Sequence, residues 1–198
     1  MSNIKNSSIS TKPLTSERLL ILPLHHVQAT ELLKYYSDNR DFFRPTSPTP
    51  TNDFYTEEYW QRKIWQARQD WQQQRAALFV LKKRSQRTAE NSIIIGSVNF
   101  NQVIHGVLQS CFLGYSMDKD YQGMGLMTEA LIELTEYMFE DWKLHRIQAN
   151  YLESNNSSAR VLAKLGFEKE GFAKKYLKIN GTWQDHILTA KVNPNDQD

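Results

Sequence analysis

Tyr121-Gln122-Gly123-Met124-Gly125-Leu126-Met127-Thr128 places two glycines, one residue apart, between a strand-like segment and an amphipathic helix. With no side chain at Gly123 or Gly125, backbone N–H groups can close on an anion. The first turn of the following helix adds unpaired donors and the positive end of its dipole. The segment therefore reads as a phosphate cradle. It is not a P-loop, because no Gly-Lys-Ser/Thr follows, and not a dinucleotide fingerprint, because the third glycine position falls on Met127 or Thr128. The same residues also suit a tight strand-to-helix turn that needs glycine for a positive φ.

The segments around this turn alternate between the two regular periods. Arg18–Leu24 reads as a strand and Val27–Tyr36 as a helix, with Ala29, Leu32, Leu33 and Tyr36 on one face. Pro45, Pro48 and Pro50 then mark a loop, and Glu57–Gln74 reads as a helix with Trp60, Ile64, Ala67 and Trp71 as a core stripe. Ala76–Lys82, Ile93–Val103 and Ser110–Met117 are β-branched and aromatic, with a hairpin reversal at His105-Gly106. Leu126–Asp141 forms the helix after the glycines, its stripe made of Met127, Ala130, Leu131, Leu134 and Met138. Arg146–Tyr151 is a strand, Ser158–Leu165 a short helix stopped by Gly166, and Phe172–Ile179 and Trp183–Val192 are closing strands. Hairpins combined with a strand–helix–strand crossover imply an α+β domain built on a mixed sheet. The polar ends, residues 1–13 and 193–198, are expected to be flexible tails flanking a single domain over 14–192.

A second segment follows the crossover strand. Asn155-Asn156-Ser157-Ser158 opens a helix that closes at Leu165-Gly166-Phe167. Either asparagine could serve only as its cap. Composition narrows the function class further. A formal charge of +2 does not suggest a nucleic-acid binder, so no direct nucleic-acid contact is expected. The one cysteine, Cys111, permits no internal disulfide and no cysteine-based zinc site, and no metal is expected. No signal peptide or membrane-length apolar run is visible, which predicts a cytoplasmic protein without a membrane partner.

In these segments the chain resembles the GNAT superfamily of acyl-CoA N-acetyltransferases. Thr15-Ser16-Glu17-Arg18-Leu19 looks like that group's opening strand, Gln122-x-x-Gly125 like its pyrophosphate motif, and Asn155-x-x-Ser158 with Leu165-Gly166-Phe167 like its second CoA motif. Within the superfamily, the chain is most similar to bacterial ribosomal-protein alanine N-acetyltransferases. This likeness is carried by Ile95–Phe100, Leu113–Ser116, Gly166–Gly171 and Asn180–His186. The pattern departs at Met127, where the family usually has Gly or Ala. It departs again on Cys111–Met117, which lacks the carboxylate many relatives use as a base; Asp118 falls in the turn.

The resemblance implies a twisted mixed sheet of about seven strands with about four helices. It also implies a CoA cleft where Ser110–Met117 and Arg146–Tyr151 splay apart. Acetyl-CoA would be held by Leu113, Tyr115, Met117, the run Gln122, Gly123, Met124, Gly125, Leu126, Met127 and Thr128, and by Asn155 and Ser158. Tyr115 or its neighbour Ser116 would stabilise the oxyanion through a strand N–H, and Ser158 would protonate the leaving thiolate unless it is only a helix-start residue. Glu153 and Asp185 are the candidate substrate-side carboxylates, each with a plain alternative as a surface acid. The implied acceptor is the N-terminal alanine of a small-subunit ribosomal protein, in isolation or on the assembling subunit. A small amine as acceptor and a non-catalytic acyl-CoA sensor are the other readings that fit.

Overall fold

A computed structural model describes residues 11–84 and 93–196. Its elements are β1 (Leu14–Thr15), β2 (Leu19–Pro23), α1 (Ala29–Asp38), α2 (Arg40–Phe43), α3 (Glu57–Gln72), β3 (Ala77–Lys83), β4 (Ile94–Ile104), β5 (Ser110–Met117), α4 (Leu126–Glu140), β6 (Arg146–Leu152), α5 (Asn156–Lys164), β7 (Glu168–Ile179) and β8 (Thr182–Val192). The strands form one sheet in the order β1-β2-β3-β4-β5-β6-β8-β7. Every neighbouring pair is antiparallel except β5 and β6, which α4 connects as a crossover.

The mixed α/β class follows the expectation from sequence, with two short elements added. β1 has two residues and α2 has four, too few for either to leave a periodic signal. β7 begins at Glu168, four residues ahead of the expected Phe172, because its early part is polar and exposed on the sheet's edge. The fold also continues past Val192. Asn193 is buried, its N–H donates to the His145 carbonyl at 2.8 Å, and its Nδ2 reaches the Leu144 carbonyl. Met1–Ser10, most of the expected N-terminal tail, and residues 197–198 lie outside the described residues.

Two apolar layers cover the sheet. On one face α4 buries Leu126, Met127, Ala130, Leu131, Leu134 and Met138 against Phe79, Phe100, Leu113 and Ile147, with Leu162 of α5 alongside. On the other, α1 and α3 bury Leu32, Tyr35, Trp60 and Ala67 against Val80 and Ile94. The stripe Trp60, Ile64, Ala67, Trp71 thus faces inward as its spacing predicts, and Trp71 reaches the first layer beside Trp142. α1 starts with a reciprocal cap between Gln28 and Glu31. Glu31 also pairs with Lys82, an ammonium buried under the helix that this carboxylate compensates.

Candidate functional site

β5 and β6 are paired only from Ser110, Cys111 and Phe112 to Arg146, Ile147 and Gln148. Beyond that ladder β5 remains paired to β4 and β6 to β8, so the facing edges of Leu113–Met117 and Ala149–Leu152 diverge. The divergence opens a V-shaped cleft. Along its β5 side, alternate backbone N–H and C=O groups have no strand partner and can take up an extended ligand.

Strand alternation divides this cleft into two faces. Cys111, Leu113, Tyr115 and Met117 point toward α4 and α5, whereas Ser116 points toward α1, where its Oγ shares a 3.0 Å hydrogen bond with the Tyr35 hydroxyl. On the α4 face, the Tyr115 hydroxyl and the Ser158 Oγ are 2.7 Å apart and hydrogen-bonded. Asn155 caps α5 by accepting from the Ser158 N–H at 3.0 Å, so the cap role is real and also fixes Ser158. Burial pushes the Tyr115 phenol up to about 12, partly offset by its bond to Ser158. Tyr115 is therefore a protonated, partly buried donor or acceptor at neutral pH.

The glycine turn closes the wide end of the cleft. After Asp118 a short 3-10 turn spans Lys119–Tyr121, and then Gly123 and Gly125 adopt φ of 73° and 75°. Gly125 is the N-cap of α4, and the helix's first bond runs from Glu129 N–H to Gly125 C=O at 3.0 Å. The N–H groups of Leu126, Met127 and Thr128 precede that bond, which leaves them to an anion. The side chains of Leu126 and Met127 enter the core, so these two residues offer only backbone to a ligand. Met127, where the family usually has Gly or Ala, is accommodated by pointing inward. Gln122 folds back, its Nε2 donating to the Met117 carbonyl at 3.1 Å, and Met124 stays exposed.

Several contacts that shape this site leave no signal in the sequence. Arg18 donates from Nη1 to the Met124 carbonyl at 3.0 Å and from Nε to Glu129 Oε2 at 2.6 Å. Glu129 Oε1 also accepts from Ser16 Oγ and from the Arg18 N–H. Partial desolvation raises the Glu129 pKa, but these hydrogen bonds and the guanidinium outweigh it, and the carboxyl is held below its ordinary value. Asn39, 1% exposed, sits between α1 and the turn. Its Nδ2 donates to the Tyr35 carbonyl and to Asp118 Oδ2, and its Oδ1 accepts from the Lys119 N–H.

The Tyr115–Ser158 hydrogen bond involves neither of the two candidate carboxylates. Glu153 is exposed in the turn between β6 and α5. Asp185 Oδ1 accepts at 2.7 Å from the N–H of Lys175, a residue at φ 49° inside the β7 bulge. That bulge carries Tyr176, whose hydroxyl accepts from Asn150 Nδ2 at 3.0 Å on β6. Across the cleft's outer end, Pro48 bridges to Ile179, and Arg44 lies 3.5 Å from the Asn180 side chain. The proline loop and the β7–β8 hairpin therefore touch. Among the described residues no cluster of His, Cys, Asp and Glu could hold a metal ion, and no helix is long and apolar enough to cross a membrane.

Known proteins share this architecture and sequence. A profile of the acetyltransferase (GNAT) domain matches residues 18–168. The chain is 39% identical over 188 residues to the [ribosomal protein uS5]-alanine N-acetyltransferase of Escherichia coli (strain K12), covering 95% of this chain and 94% of that one. The crystal structure of a ribosomal-protein-S5-alanine acetyltransferase from Vibrio fischeri superposes with a TM-score of 0.85 at 34% identity, over 94% of this chain and 100% of that one. Mycobacterium smegmatis RimJ, solved with CoA-disulfide, gives 0.77 at 26% identity over 91% and 86% of the two chains. With the domain profile matching most of its length and a relative 39% identical over nearly the whole of both chains, the chain belongs to the GNAT family of acetyltransferases.

Proposed function

We propose that this enzyme transfers the acetyl group of acetyl-CoA to the α-amine of an N-terminal alanine on a small-subunit ribosomal protein in the cytoplasm. The observation that carries the acceptor is the 39% identity, over nearly the whole of both chains, to an enzyme named for uS5 alanine. The cleft supports the donor. Backbone N–H groups of residues 122–128 would take the pyrophosphate, and the free edge of Leu113–Met117 would take the pantetheine arm as an added strand.

The chemistry needs little from the protein. The neutral amine attacks the thioester carbonyl carbon, a β5 N–H near Tyr115 or Ser116 stabilises the oxyanion, the nitrogen's extra proton passes to solvent, and collapse re-forms the carbonyl and expels the thiolate. A thiol with a pKa of about 8.5 leaves readily, so proton delivery from Ser158, backed by Tyr115, is a modest aid. An α-amine has a pKa of about 7.7–8.0 and a lysine about 10.4, a gap worth about 3.4 kcal/mol that a lysine-acetylating site must supply. β5 carries no carboxylate to supply it, and Asp185 is engaged by the β7 bulge. That arrangement favours an α-amine. The peptide would enter beside the contact that residues 39–50 make with the Asn180-Gly181 hairpin.

The test offers three acceptors with acetyl-CoA: an Ala-initiated peptide from the small subunit, the same peptide blocked at its N-terminus with a free internal lysine, and spermidine. The first should be acetylated fastest. Faster turnover of the blocked peptide would assign a lysine acceptor, faster turnover of spermidine a small-amine enzyme, and no turnover an acyl-CoA sensor; each would sink this reading.

A further inference from the structure

Gly114 sits in the middle of β5, its Cα paired with that of Asn99 on β4, two residues past the last β5–β6 pair. Nothing in the fold asks for glycine there. Its backbone lies outside the left-handed region, and a Cβ built on it would meet no heavy atom within 4 Å. Gly96 on the adjacent strand is the opposite case: a Cβ there would lie 2.9 Å from Leu81 Cδ1, so packing explains it. Glycine inside a strand weakens that strand, and where packing and dihedrals are indifferent, close approach of a ligand is the remaining physical cause.

The geometry also says which ligand. Gly114 shares the face of Ser116, opposite the Tyr115–Ser158 pair. Ser116 is joined to Tyr35 of α1 on one side. On the other, Asn150 lies on β6 two residues beyond Gln148, the partner of Phe112, and is hydrogen-bonded to Tyr176. The polar side chains that strand alternation places on the Gly114 face are therefore Ser116, joined to Tyr35, and Asn150, joined to Tyr176, all of them neutral. This is the face toward α1, not the face that α4 covers.

We propose that Gly114 is the specificity-determining position for the acceptor, with the first residue of the acceptor peptide packed against its Cα and the peptide's polar backbone met by Asn150 and Tyr176. This rests on the acceptor being a peptide α-amine. A methyl group added to the floor then competes with the methyl group of an acceptor alanine.

The experiment compares wild type, Gly114→Ala and Asn150→Ala in steady-state assays with matched peptides beginning Ala and Gly, and follows CoA binding by thermal shift. Gly114→Ala should keep the CoA-induced shift within about 1 °C of wild type. Its kcat/KM on the Ala peptide should fall at least about tenfold, mostly through KM, with a smaller fall on the Gly peptide. Asn150→Ala should raise KM for both peptides without altering their ratio. An unchanged Ala-to-Gly ratio in Gly114→Ala overturns the proposal, as does a lost CoA shift in that variant, which would assign the space to the pantetheine arm. If Gly114→Ala does not fold, an unchanged KM in Asn150→Ala overturns it instead. Wild type inactive on both peptides overturns the α-amine reading and this proposal together, whereas active wild type with an indifferent Gly114→Ala overturns this proposal alone.

Discussion

Asn39 and Asp118 meet through a 2.8 Å hydrogen bond that ties the end of α1 to the turn leading into the paired glycines. The same carboxamide also holds the Lys119 N–H and the Tyr35 carbonyl. One buried side chain thereby sets the spacing between the helix over the acceptor face and the phosphate-binding turn. Asn39→Ala strips partners from a carboxylate and a backbone donor, at a cost of about 1–3 kcal/mol. The expected result is a melting temperature lower by about 3–10 °C and weaker CoA binding, read by calorimetry and by titration of CoA. Wild-type CoA affinity in a destabilised Asn39→Ala would show that the contact serves stability alone.

Tyr115 and Ser158 should behave as a unit. Ser158→Ala and Tyr115→Phe are each expected to lower kcat by about threefold to tenfold, and the double variant should be little worse than either single one. Because burial holds the Tyr115 phenol near 12, it stays protonated throughout the working range. kcat/KM should therefore rise through the acceptor amine's pKa of about 7.7–8.0 and then stay level to about pH 10. A descending limb below pH 10 that disappears in Tyr115→Phe would contradict that assignment.

Cys111 is a packing residue. It is fully buried among apolar neighbours, and burial pushes its thiol to about 12, so no thiolate is available for nucleophilic attack. Cys111→Ala should keep most turnover and lose about 1 kcal/mol of stability. Alkylation by iodoacetamide at pH 8 should be negligible in the native protein and rapid in denaturant. Isolation of an acetylated Cys111 during turnover would refute direct transfer.

Glu129 predicts an acid-sensitive anchor. Its folded pKa is depressed below 4.5, so the stability it contributes is present above that value and is lost as pH falls through the lower, folded pKa. Glu129→Gln should therefore melt below wild type at pH 7, and the difference should shrink once pH drops below 4.5. A difference that persists unchanged in acid would mean that the Arg18–Glu129 pair adds nothing beyond shape.

Sequence pattern made most of the fold legible because its elements are long and strongly patterned, as in the tryptophan stripe of α3 and the apolar runs of β3 and β4. The two segments at Gln122–Gly125 and Asn155–Ser158 were legible because their chemistry is local: a cap or a glycine turn acts within a few residues. Asn39 and Glu129 were not, because their partners are distant, with Asp118 79 positions from Asn39 and Arg18 111 positions from Glu129. A lone Asn after a helix and a Glu in a first helical turn look like ordinary surface residues until the chain folds. Asp185 shows the converse: acidic chemistry attracted notice, but its place beside the Lys175 N–H depends on a bulge that alternation alone does not reveal.

The short parallel ladder between Ser110–Phe112 and Arg146–Gln148 is also a seam. It joins a five-strand plate, β1 to β5, to a three-strand plate of β6, β8 and β7. Apart from the two-residue β1, the strands of each plate are joined by longer antiparallel ladders. Strain across the sheet therefore concentrates at this line, and small rotations about it change the width of the mouth far more than its apex. The amides of the apex should be the slowest in the seam to exchange with deuterium and those lining the mouth of β5 the fastest, with the gradient collapsing when a ligand bridges the two plates.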